Sequence, residues 1–569
     1  MIHQILREHA RATPDATAVS FLSYPERQER IETLSYAELD LRAGAIAAQL
    51  SSCANPGDRI LLAHAPGLAF VESFFGCLYA GMVAVPLAPP SARGQGRVEG
   101  IATDARANIL LVTDAQKRRW VNRGDQRFSI QSSESMAEAK DYAFREPRDG
   151  NDPLAFLQYT SGSTGDPKGV MVRHRALLSN LDQIRVAVDL GASSVALNWL
   201  PLYHDMGLIG TLLTPIYCGF PTILMSPVTF IQHPARWLQA IGRHGATICG
   251  GPNFGYRHCV DHVPDHLRTS FDLSRWRTAY CGAETIHAAT LARFAETFAP
   301  SGFRASSLYP CYGLAEATLF LTGSAPDQGA IVRRFDAEAL EHGIARPTDQ
   351  PDETLRDLVG CGVPFSGTDV RIVDGQGEEV PEGHIGEIWG CGPGIASGYW
   401  GREEITREMF AAPLPQAAGK AFLRTGDLGF FFEGQLFVCG RLKDLIIVDG
   451  RNIAPHDLEW TVGESHCEVA AAAAFAISRD STEYAAMLVE IRRSDASAEL
   501  DAICAAVRRA VAISHDVALD SIAFVRTGAL IRTTSGKLAR GHCRRAYLDG
   551  QFALLYQWQI HRPATLATQ

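Results

Sequence analysis

Short apolar runs alternate with amphipathic stretches through the first part of the chain. The runs at 59–63, 83–87 and 109–113 have the length of buried strands, and 69–80 and 101–107 carry apolar residues at helical spacing. Strands that alternate with helices are typical of βαβ units in a parallel sheet. We therefore predict that about the first 150 residues form an α/β lobe.

The same pattern continues through the middle of the chain and changes near residue 440. Further strands are predicted at 154–157, 196–200, 222–224, 247–249 and 278–281. Beyond the change, strands are expected at 469–477, 487–491 and 522–525, with one long helix at 497–514. We predict an α/β fold with a large N-terminal domain over 1–440 and a small, compact α+β domain over 441–569.

Two patterns near the N-terminus predict helices. Apolar and charged side chains mix over the first twelve residues, which predicts an amphipathic helix and not the apolar core of a signal peptide. Ser35, followed three residues later by Glu38, predicts a capping box that opens a helix through Leu50. No run of about 18 apolar residues occurs, so we predict no membrane span and expect a cytoplasmic location.

Composition narrows the function classes. Of 569 residues, 46% are hydrophobic and 20% charged, as in a soluble enzyme with large cores. The net charge of −10 argues against broad nucleic-acid binding. Thirteen cysteines include no Cys-x-x-Cys pair and no metal-binding spacing, which favours reduced, buried thiols.

Candidate chemistry begins with the Ser/Thr/Gly-rich stretch 159–169, which follows the strand at 154–157. Its hydroxyls, its glycine backbone amides and Lys168 suit a polyphosphate, and we expect the segment at 170–180 to be helical. Pro167 before the lysine breaks the spacing of a Walker loop, so a P-loop kinase fold is disfavoured. Composition alone favours an ordinary Ser/Gly surface loop, and it is the spacing of the stretch that argues for a phosphate loop.

Polar turns follow several of the other predicted strands. Such turns occur at 200–207, 250–254 and 282–284, and further candidate polar stretches lie at 310–318, 424–427, 440–444 and 532–540. Ligands of parallel α/β sheets bind beyond the carboxyl ends of the strands, so these turns are the candidate site. Each turn alone is most simply an ordinary connection, and a lone His204 is most simply a satisfied histidine.

The motifs taken together and in order resemble the adenylate-forming superfamily over roughly residues 1–548. The stretches 203–210 and 312–320, with an extra segment at about 322–363, resemble the fatty acyl-AMP ligases within it. In that subfamily the inserted segment restrains rotation of the small domain and disfavours the use of CoA. A disordered loop is the alternative for this segment.

The resemblance implies a role for each matching residue. Lys537, Thr160, Glu316 and His204 are the implied catalytic residues, with Glu316 holding Mg²⁺, Asp427 binding the ribose and Lys443 at the hinge. The implied ATP-binding residues are Thr160, Ser161, Gly162, Ser163, Thr164, Gly165, Lys168, Gly282, Ala283, Glu284, Tyr312, Gly313, Asp427, Arg441 and Lys537. Nearby apolar residues are candidates for the acyl pocket, with core packing as the alternative for each: Met206, Ile209, Met225, Phe230, Phe254 and Tyr256.

The implied reaction is activation of a medium- or long-chain fatty acid by ATP, with Mg²⁺, to an acyl-adenylate and pyrophosphate. The acyl group would then pass to the phosphopantetheine thiol of a holo acyl carrier protein, feeding polyketide, lipopeptide or lipid synthesis. Only about 30 residues follow Lys537, too few for a folded domain, so we expect the carrier in trans. The alternatives are an acyl-CoA synthetase and a non-catalytic acyl or nucleotide sensor.

Overall fold

The structure is a computed structural model. It describes residues 1–89, 95–121, 128–138, 152–160, 167–349, 355–448, 451–479, 482–493, 497–533 and 536–560. In these ranges no helix is both long and apolar enough to cross a membrane. The predicted residues Ser161, Gly162, Ser163, Thr164 and Gly165 lie outside the described ranges.

The first part of the chain contains the two strands that flank the phosphate loop. In order they are α1 (Ile2–Ala12), β1 (Thr17–Ser23), β2 (Arg30–Ser35), α2 (Tyr36–Ser51), β3 (Arg59–Leu62), α3 (Leu68–Tyr79), β4 (Val83–Pro86), α4 (Gln95–Ala105), β5 (Ile109–Val112), α5 (Asp114–Val121), β6 (Ser129–Ser132), α6 (Ser133–Ala137), β7 (Leu154–Thr160), β8 (Lys168–Arg173) and α7 (His174–Ala187).

The second part builds the remaining strands of the large domain. A π-helix over Met206–Leu213 lies between the strand Ala196–Asn198 and the short helix Thr214–Cys218. The elements are β9 (Ala196–Asn198), α8 (Thr214–Cys218), β10 (Thr222–Met225), α9 (Pro227–Gln232), α10 (Pro234–His244), β11 (Ile248–Gly251), α11 (Asn253–His262), β12 (Thr278–Cys281), α12 (Ala288–Phe298), β13 (Leu308–Gly313), β14 (Phe320–Gly323), β15 (Val332–Asp336), α13 (Ala337–Glu341), β16 (Leu355–Val359), β17 (Val363–Pro364), β18 (Asp369–Val373), β19 (Gly386–Cys391), α14 (Glu403–Phe410), β20 (Ala412–Pro413), β21 (Ala421–Phe432) and β22 (Gln435–Arg441).

The last part forms a smaller α+β body. Its elements are β23 (Ile446–Val448), β24 (Arg451–Ile453), α15 (Pro455–Ser465), β25 (Val469–Arg479), β26 (Thr482–Ile491), α16 (Ser497–His515), β27 (Ser521–Arg526), α17 (Arg540–Leu548) and β28 (Tyr556–Gln559). The domain boundary near residue 440 stays a prediction.

Two largely parallel sheets form the main body. One has the strand order β6-β5-β3-β4-β7-β8 and the other β17-β14-β13-β12-β11-β9-β10-β1-β2. A single hydrophobic cluster contains residues of both sheets and of α2, α3 and α7, so these helices pack between the sheets. The third sheet, β18-β19-β21-β20 with β22 beside β21, is antiparallel.

Local sequence explains much of this framework. Ser35 caps α2, since its hydroxyl accepts from the Glu38 amide at 3.2 Å while the Glu38 carboxylate accepts from the Ser35 amide at 2.8 Å. This confirms the predicted capping box. The strands β4 and β5 are buried at every position, as expected for the middle of a parallel sheet.

The segment after the phosphate loop corrects the sequence prediction. A helix was expected over 170–180, but Lys168–Arg173 forms β8, which pairs antiparallel with β7, and α7 begins only at His174. The pairing of Gln158 with Val170 and of Phe156 with Val172 buries the two valines. The loop is therefore the connection of a β-hairpin.

The predicted insertion is folded in its described residues. β15 and β16 pair as an antiparallel hairpin, with α13 following β15. Phe335 is fully buried among Phe430, Phe432 and Phe437 of the hairpin β21–β22, with ring centroids 5.1 to 5.5 Å apart. The alternative of a disordered loop is wrong for these residues.

Candidate active site

A cavity of about 1370 Å³ lies where the carboxyl ends of β11, β12 and β13 face the small C-terminal body. Its lining comes from both parts of the chain. The predicted site residues in this lining are Thr160, Lys168, His204, Met206, Phe254, Ala283, Glu284, Tyr312, Gly313, Glu316, Asp427, Arg441, Lys443 and Lys537. The strand ends thus bring together turns that are hundreds of residues apart.

Asp427 forms the polar centre at one end of the cavity. The Tyr312 hydroxyl donates to its Oδ2 at 2.8 Å and Arg441 Nε donates to its Oδ1 at 3.0 Å. The carboxylate raises the pKa of the Arg441 guanidinium, while burial and the same carboxylate raise the pKa of the Tyr312 hydroxyl. This arrangement holds a buried carboxylate, an aromatic ring and a cation side by side.

The turn after β12 lines the same cavity. Glu284 Oε1 accepts from the Phe254 amide at 2.7 Å, and burial raises the pKa of the Glu284 carboxyl. Gly282 lies so close to the next strand that a Cβ there would be 2.8 Å from the Cys311 carbonyl oxygen. Ala283 has a φ of +68°, which strains a residue with a side chain. The turn places Ala283 and Glu284 in the cavity lining, whereas the predicted residue Gly282 packs against β13 and does not line it.

Glu316 is held by a residue that the sequence prediction missed. The Tyr399 hydroxyl donates to Glu316 Oε1 at 2.8 Å, and the Lys168 ammonium lies 5.2 Å from the Tyr399 ring centroid. The chain around Tyr399 also bonds to β8, because the Met171 amide donates to the Gly398 carbonyl at 2.8 Å. Tyr399 thereby connects the carboxylate to the phosphate-loop hairpin.

Lys537 comes from the small body and enters the cavity beside acidic groups of the large one. Burial lowers the pKa of its ammonium, although the carboxylates of Asp205 and Glu284 oppose the shift. Asp205 Oδ1 lies 2.6 Å from His204 Nδ1. Burial favours protonation of Asp205, but the neighbouring His204 and Lys537 lower its carboxyl pKa overall. Asp205 was not among the predicted residues.

Lys443 lies in the turn between β22 and β23, where the large and small bodies meet, and lines the cavity. Burial, and then the charge of Arg441, lower the pKa of its ammonium. Its role as a hinge stays a prediction. In the described residues no group of three His, Cys, Asp or Glu side chains could hold a metal ion by itself.

The apolar part of the cavity departs from the predicted acyl pocket. Met206 and Phe254 line it, whereas Ile209, Met225, Phe230 and Tyr256 are buried in the hydrophobic cores. Phe230, for example, stacks on Trp199 with centroids 3.9 Å apart. The lining instead comes from residues that were not predicted: Ile184, Val188, Gly210, Ile248, Thr278, Tyr280, Tyr309, Cys311 and Leu319.

The period-two pattern of the strands could have identified part of this lining. Ile248, the pair Thr278 and Tyr280, and the pair Tyr309 and Cys311 are alternate or aligned positions of β11, β12 and β13. Successive side chains of a strand point to opposite faces, so these residues share one face. The sequence alone does not distinguish the strand face that packs in the core from the face that lines the cavity.

The small body closes over the cavity through contacts with α11 and α12. Arg257 Nη2 lies 2.9 Å from Glu464 Oε1, and the His287 and Trp460 rings stack with centroids 4.1 Å apart. Arg257 also lies over the Trp460 ring at 5.1 Å. These contacts accompany the position of Lys537 inside the cavity.

The insertion also contacts the small body. Arg451 Nη2 lies 2.6 Å from Glu341 Oε2, and Arg356 Nη2 donates to the Ser514 carbonyl at 3.2 Å and to His515 Nδ1. Burial, and then the charge of Arg356, lower the pKa of the His515 ring to about 4. The ring is therefore neutral near pH 7, with Nδ1 as the acceptor.

Comparisons with known proteins agree with this geometry. Residues 6–400 match the family described as AMP-binding enzyme, and residues 443–557 match the Disco-interacting protein 2-like AMP domain. The medium-chain-fatty-acid–[acyl-carrier-protein] ligase JamA of Moorena producens is 39% identical over 96% of this chain and 94% of its own length. The long-chain-fatty-acid–AMP ligase FadD23 of Mycobacterium tuberculosis is 36% identical over 97% of each.

Solved structures give the same result. The fatty acid AMP ligase from Legionella pneumophila aligns with a TM-score of 0.76 at 36% identity, over 99% of this chain and 98% of that one. A structure from a study of the Escherichia coli and L. pneumophila fatty acyl-adenylate ligases aligns with a TM-score of 0.87 at 32% identity, over 97% and 98%. The chain is a member of the AMP-binding enzyme family and belongs to its fatty acyl-AMP ligases.

Proposed function

We propose that the protein joins a fatty acid to AMP at the expense of ATP, releases pyrophosphate, and then passes the acyl group to the phosphopantetheine thiol of an acyl carrier protein. The observation that carries the proposal is one cavity that combines Lys537, the Asp427 centre and an apolar channel. A related L. pneumophila ligase, 35% identical over 98% of this chain and 97% of that one with a TM-score of 0.76, was solved with acyl adenylate and pyrophosphate. The substrate carboxylate would lie beside Lys537, the nucleotide beside Asp427 and the acyl chain in the apolar channel.

In the first step a carboxylate oxygen of the fatty acid attacks the α-phosphorus of ATP. The new O–P bond forms as the bond to the bridging oxygen breaks and pyrophosphate leaves. Lys537 would neutralise charge on the α-phosphate and the carboxylate, while Lys168 and Thr160 would hold the phosphates leaving the site. Asp427 would accept the ribose hydroxyls, next to the adenine held by Tyr312 and the 282–284 turn.

Mg²⁺ fits the residues present. Glu316 is a carboxylate that Tyr399 holds by one oxygen, and the Thr160 hydroxyl lines the same cavity. Mg²⁺ is commonly bound by one or two carboxylates together with substrate phosphates. When bound, it would neutralise charge on the phosphoryl oxygens. Glu316 is the residue that would hold it.

In the second step the thiol sulfur attacks the acyl carbonyl carbon, AMP leaves, and the thiol proton is released. Access for the phosphopantetheine arm would require the small domain to rotate about Lys443 and withdraw Lys537. The contacts of Glu341 and Arg356 with the small domain would oppose that rotation, which is the restraint that the resemblance to fatty acyl-AMP ligases implies. Supply of the carrier in trans and a cytoplasmic location both stay predictions.

The test combines the purified protein with Mg-ATP and fatty acids, followed by free CoA or a holo acyl carrier protein. Mass spectrometry follows acyl-AMP and thioester. Acyl-AMP that persists with CoA and is consumed by the carrier supports the proposal. Rapid formation of acyl-CoA would indicate an acyl-CoA synthetase instead, and no acyl-AMP from any acid would indicate a non-catalytic sensor.

A further inference from the structure

The apolar channel has a floor made by three adjacent parallel strands. Residues in register across the sheet are Ile248 with Thr278, and Tyr280 with Tyr309. All four line the cavity. Gly250, two residues after Ile248 and in register with Tyr280, adds no side chain, and a Cβ there would be 2.1 Å from the Tyr280 carbonyl oxygen. The cavity therefore extends along the sheet to Ile248 and Thr278, the first residues of β11 and β12.

The opposite wall is the last turn of α7. Ile184 and Val188 line the cavity one helical turn apart. Higher on the same helix, Asn180 bonds to both the amide and the carbonyl of Phe320, at 3.0 and 2.9 Å, just beyond the Glu316 turn. Asn180 itself is buried and does not line the cavity, but its bonds to Phe320 place it at the level of the turn that carries Glu316, with Val188 at the far end of the helix.

The far end of the channel is bounded by the residues that follow α7 and those that precede β12. The helix α7 ends at Ala187 with Val188 as its C-cap, and the next residue, Asp189, forms an exposed ion pair of 3.7 Å with Arg277, which directly precedes β12. The Thr278 amide donates to the Thr247 carbonyl at 3.0 Å, where β11 begins. Val188 and Thr278 therefore line the far end of the channel, at the level of the amino-terminal ends of β11 and β12.

Two chain segments that run beside the channel, from the level of the polar turns to its far end, have similar lengths. Four strand residues separate Thr278 from Gly282, or about 13 Å at about 3.3 Å each. Eight helical residues separate Asn180 from Val188, or about 12 Å at about 1.5 Å each. An extended alkyl chain with bonds of about 1.5 Å advances about 1.3 Å per carbon. The channel accommodates about ten carbons.

We infer that Ile184 and Val188 act as a ruler that limits this enzyme to medium-chain acyl groups of about eight to twelve carbons. The inference rests on the proposed function and adds to it the substrate class and two specificity-determining residues. Family relatives include both medium- and long-chain ligases, so family membership leaves the length open. The helical turn between the two residues spans about 6 Å, or four to five carbons.

The test measures kcat/KM for acyl-AMP formation with saturated acids of six to eighteen carbons. We expect a maximum near ten carbons and at least a tenfold loss at sixteen. Val188→Phe should shorten the optimum slightly, Ile184→Phe should shorten it by about four carbons more, and Val188→Ala should lengthen it. Val186→Phe is the matched control, because Val186 lies on the same helix and is 56% exposed. Activity on the shorter acids shows that each variant is folded.

Binding separates failure of the ruler from failure of the enzyme assignment. Dissociation constants are measured for non-hydrolysable acyl-sulfamoyl adenosines of the same chain lengths, which requires no turnover. A binding optimum near ten carbons that shifts with Ile184 and Val188 supports the ruler even if no acyl-AMP forms. Equal affinity for ten and sixteen carbons, or equal shifts from the Val186 control, overturns it.

Discussion

Asp427 illustrates how a single residue gains its role from its surroundings. It is buried, its two oxygens accept from Tyr312 and Arg441, and its backbone amide is held by the Thr425 hydroxyl at 3.1 Å. Hydrogen bonds to charged groups contribute about 1.5–3 kcal/mol each. Substrate hydroxyls that replace or join these partners therefore gain a strong, oriented acceptor.

Asp427→Ala should weaken ATP binding by about ten- to a hundredfold, since it removes a charged acceptor from the ribose site. Isothermal titration with ATP measures the change. Asp265→Ala is the control, because the Asp265 side chain is 90% exposed on the surface. Unchanged affinity in the Asp427 variant would remove its assignment to the ribose.

Lys537 should give the reaction an alkaline limit. Since burial lowers the pKa of its ammonium, the positive charge is lost at a lower pH than for an ordinary lysine. Adenylation should therefore fall as pH rises, and Lys537→Arg should move this fall upward because a guanidinium stays charged. Rates of acyl-AMP formation between pH 7 and 10.5 measure the shift.

Two further variants test whether the charge of Lys537 is responsible for the alkaline limit. Lys537→Ala should reduce adenylation by about a hundredfold or more at every pH, as expected for a lost charge-stabilising group. Lys420→Ala should behave as wild type, because Lys420 is an exposed partner of Asp369 at 2.7 Å. An identical alkaline limit in the Arg variant would show that another group titrates.

Sequence motifs predicted many of the residues that line the polar part of the cavity, because each motif is short and local. Tyr399 was missed because only the fold brings it to Glu316, 83 positions away. Asp205 adjoins His204 in the sequence, but its proximity to Lys537 also arises only in the fold. The acyl residues were only partly predicted. Apolar side chains such as Met225 and Tyr256 suit a core as well as a channel, and the sequence does not distinguish the two.

At the scale of elements, apolar runs predicted the buried strands well, because a buried parallel strand needs little more than continuous apolar residues. The segment after the phosphate loop was mistaken for a helix. Its alternating residues from Val170 to Arg173 pair with β7, and that pairing is a tertiary contact that local periodicity does not contain. The insertion likewise folds around Phe335 only because the β21–β22 hairpin offers a matching surface.

The insertion should control which acceptor the enzyme uses. Glu341→Arg places like charges opposite Arg451, so the small domain should rotate more freely and acyl-CoA formation with free CoA should rise several-fold. Arg451→Glu should have the same direction, and the double exchange should restore discrimination. Acyl-CoA measured by mass spectrometry distinguishes the outcomes. No increase in either single variant would show that the contact does not restrain the domain.

At the scale of the whole molecule, the site is divided between two bodies. Asp427 and Glu316 belong to the large one and Lys537 to the small one, so the complete charge arrangement exists only while they are closed. The stacking of His287 on Trp460 and the ion pair of Arg257 with Glu464 hold this closed arrangement.

Trp460→Ala should therefore lower kcat for acyl-AMP formation by about five- to tenfold while leaving ATP affinity within about twofold. Aromatic stacking contributes about 0.5–1.5 kcal/mol, enough to shift the closed population by that factor. Trp558→Ala is the control, because that indole packs under Arg508 at 3.9 Å within the small body. Equal effects of the two changes would indicate general destabilisation of the small body.

The closed arrangement also has a consequence for the lifetime of the product. An acyl-adenylate is a mixed anhydride that water hydrolyses, and a cavity covered by Trp460, His287 and Lys537 limits the entry of water. With the acyl chain in the channel, the enzyme would keep the activated acid intact between its two half-reactions. It would then act as a reservoir of activated acyl groups, emptied at the pace at which carriers arrive.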